Sequence, residues 1–397
     1  MTALARFFFA WTAIAIAMIA APAHADDAIS DLAILGRPRP YFRLESVRMR
    51  ISTFEQGGLG GYQSQAGPTL GRGSERMTVL QPQIEAVFKQ GERLTHRVWV
   101  PIDVVTAASP DAIDRTPASV DVVSNSSRQN TGGAIDWTTT YKADAKTELF
   151  VRDGFHLEEN FRSWNGGMGV TRSFAEDNAT LSASFNAYFD WFDRFDITGH
   201  RHGRTSRSTS NGNVGFSQLL STTTIARLDY GLTVQSGELG NTWNSVPLAI
   251  GERGPEIMPD RRVRQALSGR LVQGLPWNGS IRASYRFYTD TWGIDAHTVE
   301  LQLMQRLTPW AYVRGVYRVH TQDSAVFFTT LAPNGATLRT ADSDLDKFVA
   351  QTWGAHAAID LPDPRLKTIH FDFGYERYFR SNGMTVNMFT WSTGFRF

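Results

Sequence analysis

The sequence predicts an all-β fold, a transmembrane antiparallel up-and-down β-barrel of about sixteen strands, behind an N-terminal export signal. Three observations predict it. Apolar and polar residues alternate with a period of two through much of the chain after residue 40. The connections between alternating segments fall into two length classes. Beyond the first 25 residues, no stretch approaches the roughly 20 consecutive apolar residues that a membrane helix requires, so a second encounter with a membrane must be made by strands.

The N-terminus sets the compartment. Arg6 is the sole charge before an apolar run from Phe7 to Ala20, and Ala23-His24-Ala25 precedes the acidic pair Asp26-Asp27. A short positive region, an apolar core and small residues at a cleavage site make residues 1–25 a cleaved signal peptide. The alternative, an uncleaved anchor, does not account for the A-x-A site and the acids behind it. Residues 26–40, with Pro38 and Pro40, lack a strand pattern and read as a short periplasmic lead-in, the barrel then occupying residues 41–397 with its first strand near Tyr41. The implied location is the outer membrane of a Gram-negative bacterium.

The strands follow from alternation. Leu181, Ala183, Phe185, Ala187, Phe189 and Trp191 alternate with Thr180, Ser182, Ser184, Asn186, Tyr188 and Asp190. Ile281, Ala283, Tyr285 and Phe287 alternate with Ser280, Arg282, Ser284 and Arg286; Ile369, Phe371, Phe373 and Tyr375 alternate with His370, Asp372, Gly374 and Glu376. Val98, Val100, Ile102 and Val104 do so with Arg97, Trp99, Pro101 and Asp103. One face suits lipid and the other a polar interior.

Short turns fall at Lys89–Glu92, Ala143–Lys146, Ala175–Asn178, Ser221–Thr223, Gln273–Gly279, Thr308–Pro309 and Asp360–Lys367. Between them lie long polar connections, Gln56–Ser74, Ala107–Asn130, Asp193–Gly212, Ser236–Asp260 and Thr321–Asp344, and three short ones near Gly154–Asn160, Asp290–Ala296 and Arg380–Gly383. Long loops never share a side with the seven tight turns. That segregation belongs to outer-membrane barrels, with tight periplasmic turns and longer extracellular loops, and a β-sandwich has no reason to show it. Seven turns and eight loops join sixteen strands and leave both ends periplasmic.

The last segment closes the pattern. Phe397, Phe395, Thr393, Trp391 and Phe389 alternate with Arg396, Gly394, Ser392, Thr390 and Met388. Such a terminal strand resembles the signal read by the barrel-assembly machinery, with Phe389, Trp391, Phe395 and Phe397 as its aromatic side.

Composition narrows function. Removing residues 1–25 takes away one arginine and no acid, leaving 39 basic against 39 acidic side chains. A neutral total gives no general attraction to nucleic acid, so any electrostatic function is local. With no cysteine there is no disulfide framework and no thiolate metal site. The slightly negative mean hydropathy suits a barrel whose two faces cancel.

Catalytic and metal readings rest on little. His200 and His202 sit with Arg201, Arg204 and Arg207 in a polar segment; His297 and His320 lie near a rim, close to Asp295 and Asp323. Asp290, Asp295 and His297 have the donor types for a divalent ion, but a turn supplies the same residues. The expectation is no catalytic residue, no metal and no cofactor.

The lumen is more informative. With apolar residues assigned outward, Arg262, Arg264 and Arg270 of the tenth strand point inward, as do Arg282 and Arg286 of the eleventh and Arg314 and Arg318 of the thirteenth. Glu300 of the twelfth is the one acid in that run, and Asp372 and Glu376 of the fifteenth make a smaller acidic stripe. An outward arginine at mid-membrane costs roughly 2–4 kcal/mol, which favours the inward assignment. The leading expectation is a porin-like channel for small polar or anionic solutes. The alternatives are a non-conducting scaffold docking a periplasmic or lipoprotein partner and, less favoured, a barrel-embedded hydrolase. Outer-membrane lipid and lipopolysaccharide are the surrounding partners in each case.

Several stretches resemble a bacterial outer-membrane family of unknown function, domain of unknown function 3570. Tyr285-Arg286-Phe287-Tyr288-Thr289-Asp290-Thr291-Trp292-Gly293-Ile294-Asp295-Ala296-His297-Thr298-Val299-Glu300-Leu301 is similar to its arginine-aromatic strand, acidic turn and Ala-His-Thr restart. Tyr317–Phe328 resembles its next hairpin, although His320 and Val326 stand where an aromatic and an acid are expected. Ala108–Asp111 with Val120–Ser124, and Pro259–Arg264, are also similar. The resemblance implies the barrel and the outer membrane, and no activity.

Overall fold

The computed structural model describes residues 42–57, 77–105, 130–195, 201–240, 245–250 and 253–397. The expected signal peptide, the lead-in and nearly all of the loops Gln56–Ser74 and Ala107–Asn130 lie outside those residues.

Sixteen strands close into a barrel among the described residues. They are β1 (Phe42–Gly57), β2 (Met77–Gln90), β3 (Leu94–Val105), β4 (Asn130–Lys142), β5 (Thr147–Leu157), β6 (Phe161–Phe174), β7 (Ala179–Phe195), β8 (Arg201–Ser221) and β9 (Thr224–Gly237). After a loop hairpin of β10 (Ser245–Pro247) and β11 (Arg253–Pro255) come β12 (Arg261–Gly274), β13 (Gly279–Asp290), β14 (Asp295–Thr308), β15 (Ala311–Gln322), β16 (Phe348–Leu361), β17 (Thr368–Arg380) and β18 (Thr385–Arg396). Each barrel strand neighbours the next, and β1 pairs antiparallel with β18, Met49 opposite Thr393 and Thr53 opposite Phe389. Closure removes both free edges, which in a lipid environment would leave backbone groups unsatisfied.

Alternation places the two chemistries on opposite faces. Phe185, Phe189, Leu267, Leu301, Phe373 and Phe389 are large apolar side chains left exposed on the outside. Across the wall from such positions, Asn165, Asp190, Asp229, Ser268, Thr352 and Ser392 are buried. A water-soluble fold does the reverse; lipid as the outer solvent accounts for it.

The tight turns sit where the sequence predicts them, and local chemistry shapes them. Asp144 Oδ1 accepts the Lys146 N–H at 2.7 Å, and Asp363 Oδ1 accepts those of Arg365 and Leu366 at 2.8 Å each. These backbone donors hold both exposed carboxyls below the usual carboxylate range. The Ala175–Asn178 turn carries Ala175, Glu176 and Asp177 at φ of 50°, 55° and 69°.

One connection is corrected. The long connection expected at Asp193–Gly212 is mostly strand: β7 continues to Phe195 and β8 already begins at Arg201. The cause is a polar strand extension. Arg207, Thr209 and Asn211 alternate with Ser206, Ser208 and Ser210, so period two persists without apolar contrast. Arg207 donates to Asp190 at 2.8 Å, Gln235 to Thr209 at 3.2 Å and Asn211 to Thr233 at 2.7 Å. The expected loop Ser236–Asp260 contains the β10–β11 hairpin, and a 3-10 turn at Ser343–Leu345 stands at the end of Thr321–Asp344.

Candidate functional site

Register fixes which side chains share the inner face. Ser268 lies opposite Arg286, Arg270 opposite Ser284, and Val272 opposite Arg282 across β12 and β13. Ser284 faces Glu300 on β14, and Glu300 faces Arg318 on β15. Arg314 lies between Met304 of β14 and His356 of β16. Asp372 of β17 is opposite Ala358 and Ser392, and Glu376 is opposite Gly354 and Met388. Arg262 and Arg264, two residues apart, are both buried on the side away from Val263.

These groups are not equivalent. Arg262 Nε donates to Asp290 Oδ2 at 2.8 Å, and its guanidinium lies 4.1 Å from the Trp292 ring centre. Asp290 Oδ2 also accepts from Tyr288 at 2.6 Å, and Oδ1 accepts the Trp292 and Ile294 N–H groups at 2.8 and 3.1 Å. Asp290 therefore braces the rim, and it sits on the inner face while His297 packs outward with its Nδ1 2.7 Å from the Tyr285 hydroxyl. The suggested metal donors Asp290, Asp295 and His297 do not converge. No group of three or more His, Asp or Glu side chains is arranged to hold a metal among the described residues. His320 Nδ1 lies 2.8 Å from the Thr298 hydroxyl, and Asp323 pairs with Lys347 at 3.2 Å.

Arg318 Nε donates to Glu300 Oε2 at 2.7 Å, and Glu300 Oε1 accepts from Gln302 at 2.6 Å. Arg282 reaches the other end of Gln302 at 3.3 Å. By contrast, Arg270, Arg282 and Arg314 form no ion pair with a carboxylate among the described residues, and the Nε atoms of Arg270 and Arg314 have no hydrogen-bond partner there. On the acidic side, Glu376 Oε1 lies 3.0 Å from His356 Nε2, which makes that position a paired group.

Sequence reading overlooked Arg48 and Arg50 of β1, opposite Gly394 and Ser392 on the same face as Asp372. Their signal was legible: Arg48, Arg50 and Ser52 alternate with Val47, Met49 and Ile51. It also overlooked inward acids that neutralise arginines elsewhere, Asp136 with Arg152 at 2.8 Å and Asp229 with Arg227 at 2.7 Å.

The terminal aromatics lie at the β18 seam. Phe389 and Trp391 are exposed outward, against Tyr375 and Phe373 at ring-centre distances of 4.8 and 6.3 Å. Phe395 is opposite Val47 and Ile369, and the Phe397 N–H donates to Glu45 O at 3.0 Å.

Fold and site together define a transmembrane β-barrel with an arginine-rich inner wall. Residues 56–388 match the family described as Protein of unknown function (DUF3570), and the chain belongs to that family. Three solved structures are similar to it. Pseudomonas aeruginosa OccK8 (OprE) aligns at 10% identity over 88% of this chain and 97% of that one, with a TM-score of 0.43. A BenF-like porin from Pseudomonas fluorescens Pf-5 aligns at 9% identity over 89% and 99%, TM-score 0.45. A bacterial polysaccharide outer membrane secretin aligns at 7% identity over 88% and 98%, TM-score 0.46. No curated protein sequence matches the chain.

Proposed function

We propose that this barrel is a porin-like channel of the Gram-negative outer membrane that passes small polar solutes and favours anions. The observation that carries the reading is the set Arg270, Arg282 and Arg314, three inward guanidinium groups with no carboxylate partner among the described residues. A wall built only to lock itself shut would pair its arginines, as Arg262 and Arg318 are paired. Charge without an ion-pair partner inside low-dielectric walls instead focuses a positive potential along the bore. A sixteen-stranded barrel is wide enough to hold water along that path. Arginine stays charged at every accessible pH, so the preference persists across the physiological range and weakens as salt screens it.

Planar-bilayer recording in a salt gradient tests this. The wild-type barrel should give discrete conductance steps with an anion-selective reversal potential. Changing Arg270 and Arg282 together to Ala should move that potential toward cation preference at unchanged assembly yield. A conducting double variant of unaltered selectivity would remove these side chains from the pathway. A silent wild type in correctly assembled form would remove the channel.

A further inference from the structure

Two loops at one end of the barrel are built into each other, although they leave strands that are not neighbours. One joins β9 to β12 and the other joins β15 to β16, with the β13–β14 hairpin between them. They meet through backbone pairs. Ala249 N donates to Ala332 O at 2.9 Å and Ala332 N to Pro247 O at 2.8 Å; Ile257 and Arg339 exchange N–H···O bonds of 3.0 and 2.8 Å. Arg339 Nε also donates to Pro255 O at 3.0 Å, and the Thr340 hydroxyl donates to Glu256. Beneath these contacts Trp292, Ile294, Ala325, Phe327 and Leu345 form a buried apolar cluster, with Leu239 and Met258 packed against it.

The second loop is fastened to the inner face of the wall. Gln322 Nε2 donates to Asp344 O at 2.8 Å and to Asp346 O at 2.7 Å. Arg380 pairs with Asp344, and its guanidinium lies 4.3 Å from the Phe348 ring centre. Gln322 and Arg380 share the parity of Arg318 and Glu376, so the segment rests on the inward side of β15 and β17.

We propose that the described segments 245–250 and 253–260 of the first loop and 323–347 of the second are a gate: joined, they close this mouth of the barrel, and it opens when they part and the Gln322 and Arg380 fastenings release. This rests on the channel reading above. A surface loop with no such task has no need of backbone pairing to a partner two strands away, nor of fastenings inside the wall.

The gate also carries a titratable group. Asp342 accepts the Asp344 N–H at 3.0 Å and is faced by Asp344 and Glu256, with Arg380 the cation on that side. Desolvation within the packed loops, then those two carboxylates, push the Asp342 carboxyl well above the usual carboxylate range. The closed arrangement thus favours neutral Asp342. Its contribution is fully present at low pH and is lost as pH rises through the raised value. Acid should hold the loops together and rising pH should loosen them.

The test exploits a chain without cysteine. Ile257 and Arg339 form a hydrogen-bonded antiparallel pair, a geometry with Cα atoms about 5.5 Å apart and within disulfide range. The full-length mature barrel carrying Ile257→Cys and Arg339→Cys is recorded in a planar bilayer, oxidised and then after dithiothreitol. The oxidised form should stay closed, and reduction should restore openings severalfold. Arg380→Ala with Gln322→Ala should raise open time severalfold without cross-linking. In wild type, acid should shorten openings; Asp342→Asn should weaken that dependence, with the Asp346 carboxyl, which burial also raises, supplying the remainder. Equal open probability and conductance before and after reduction, in a protein that does conduct, would overturn the gate and leave the channel standing. Acid dependence of undiminished size in Asp342→Asn would overturn the role given to that carboxyl. Silence of every form, including the reduced and released ones, would overturn the channel itself and the gate with it.

Discussion

Inward arginines of similar position in the sequence differ in what they do. Arg262 and Asp290 are almost completely buried, with side-chain exposures of 7% and 0%. Arg318 and Glu300 keep 40% and 13%. Breaking a buried pair strands a charge, which costs about 3–5 kcal/mol, whereas an exposed pair contributes about 0–1 kcal/mol. Arg262→Met should therefore lower the urea midpoint of the folded barrel strongly, and Arg318→Met should barely move it. Equal midpoints for the two variants would show that Asp290 is held by Tyr288 and the backbone alone. Sequence parity assigned both arginines to one face, but it was blind to this difference. Asp290 reads as a turn residue, and only the fold brings it under Arg262 from 28 positions away.

Strands were legible wherever apolar residues marked one face, as in Leu181–Trp191 or Ile369–Tyr375. The β8 extension escaped because both parities are polar there, Arg207, Thr209 and Asn211 on one and Ser206, Ser208 and Ser210 on the other, so nothing in the side chains distinguishes a polar strand from a polar loop. β8 has 21 residues and β7 has 17, against the ~10 needed to cross a bilayer. The surplus lies at the end away from the tight Ser221–Thr224 connection, in serine and arginine that lipid would not accept. This hairpin should stand clear of the membrane on the extracellular side. An epitope inserted at the exposed Gly203, where φ is 98°, should be labelled on intact cells. One placed at Asn178, in a tight turn, should need a permeabilised envelope. The reverse pattern would invert the barrel's orientation.

Closure of the whole molecule was inferred from an even strand count and from two classes of connection, and its partner strands could be named only as first and last. The register could not: alternation fixes a face and leaves the slip along the seam open by steps of two residues. The structure supplies it, with Met49 opposite Thr393 and Ile51 opposite Trp391 across β1 and β18. Those segments are joined by no turn, so their pairing depends on every strand between them being in place. Because the chain has no cysteine, Met49→Cys with Thr393→Cys can form one bond only. Paired residues of an antiparallel ladder lie within reach of a disulfide, and a pair offset by two residues does not. The oxidised double variant should therefore become a covalent ring and, after boiling without reductant, migrate differently from its reduced form. Met49→Cys with Trp391→Cys should form no intramolecular bond. A sheet left open between β1 and β18 would give no ring in either variant, and ring formation in the offset pair alone would place the seam two residues away.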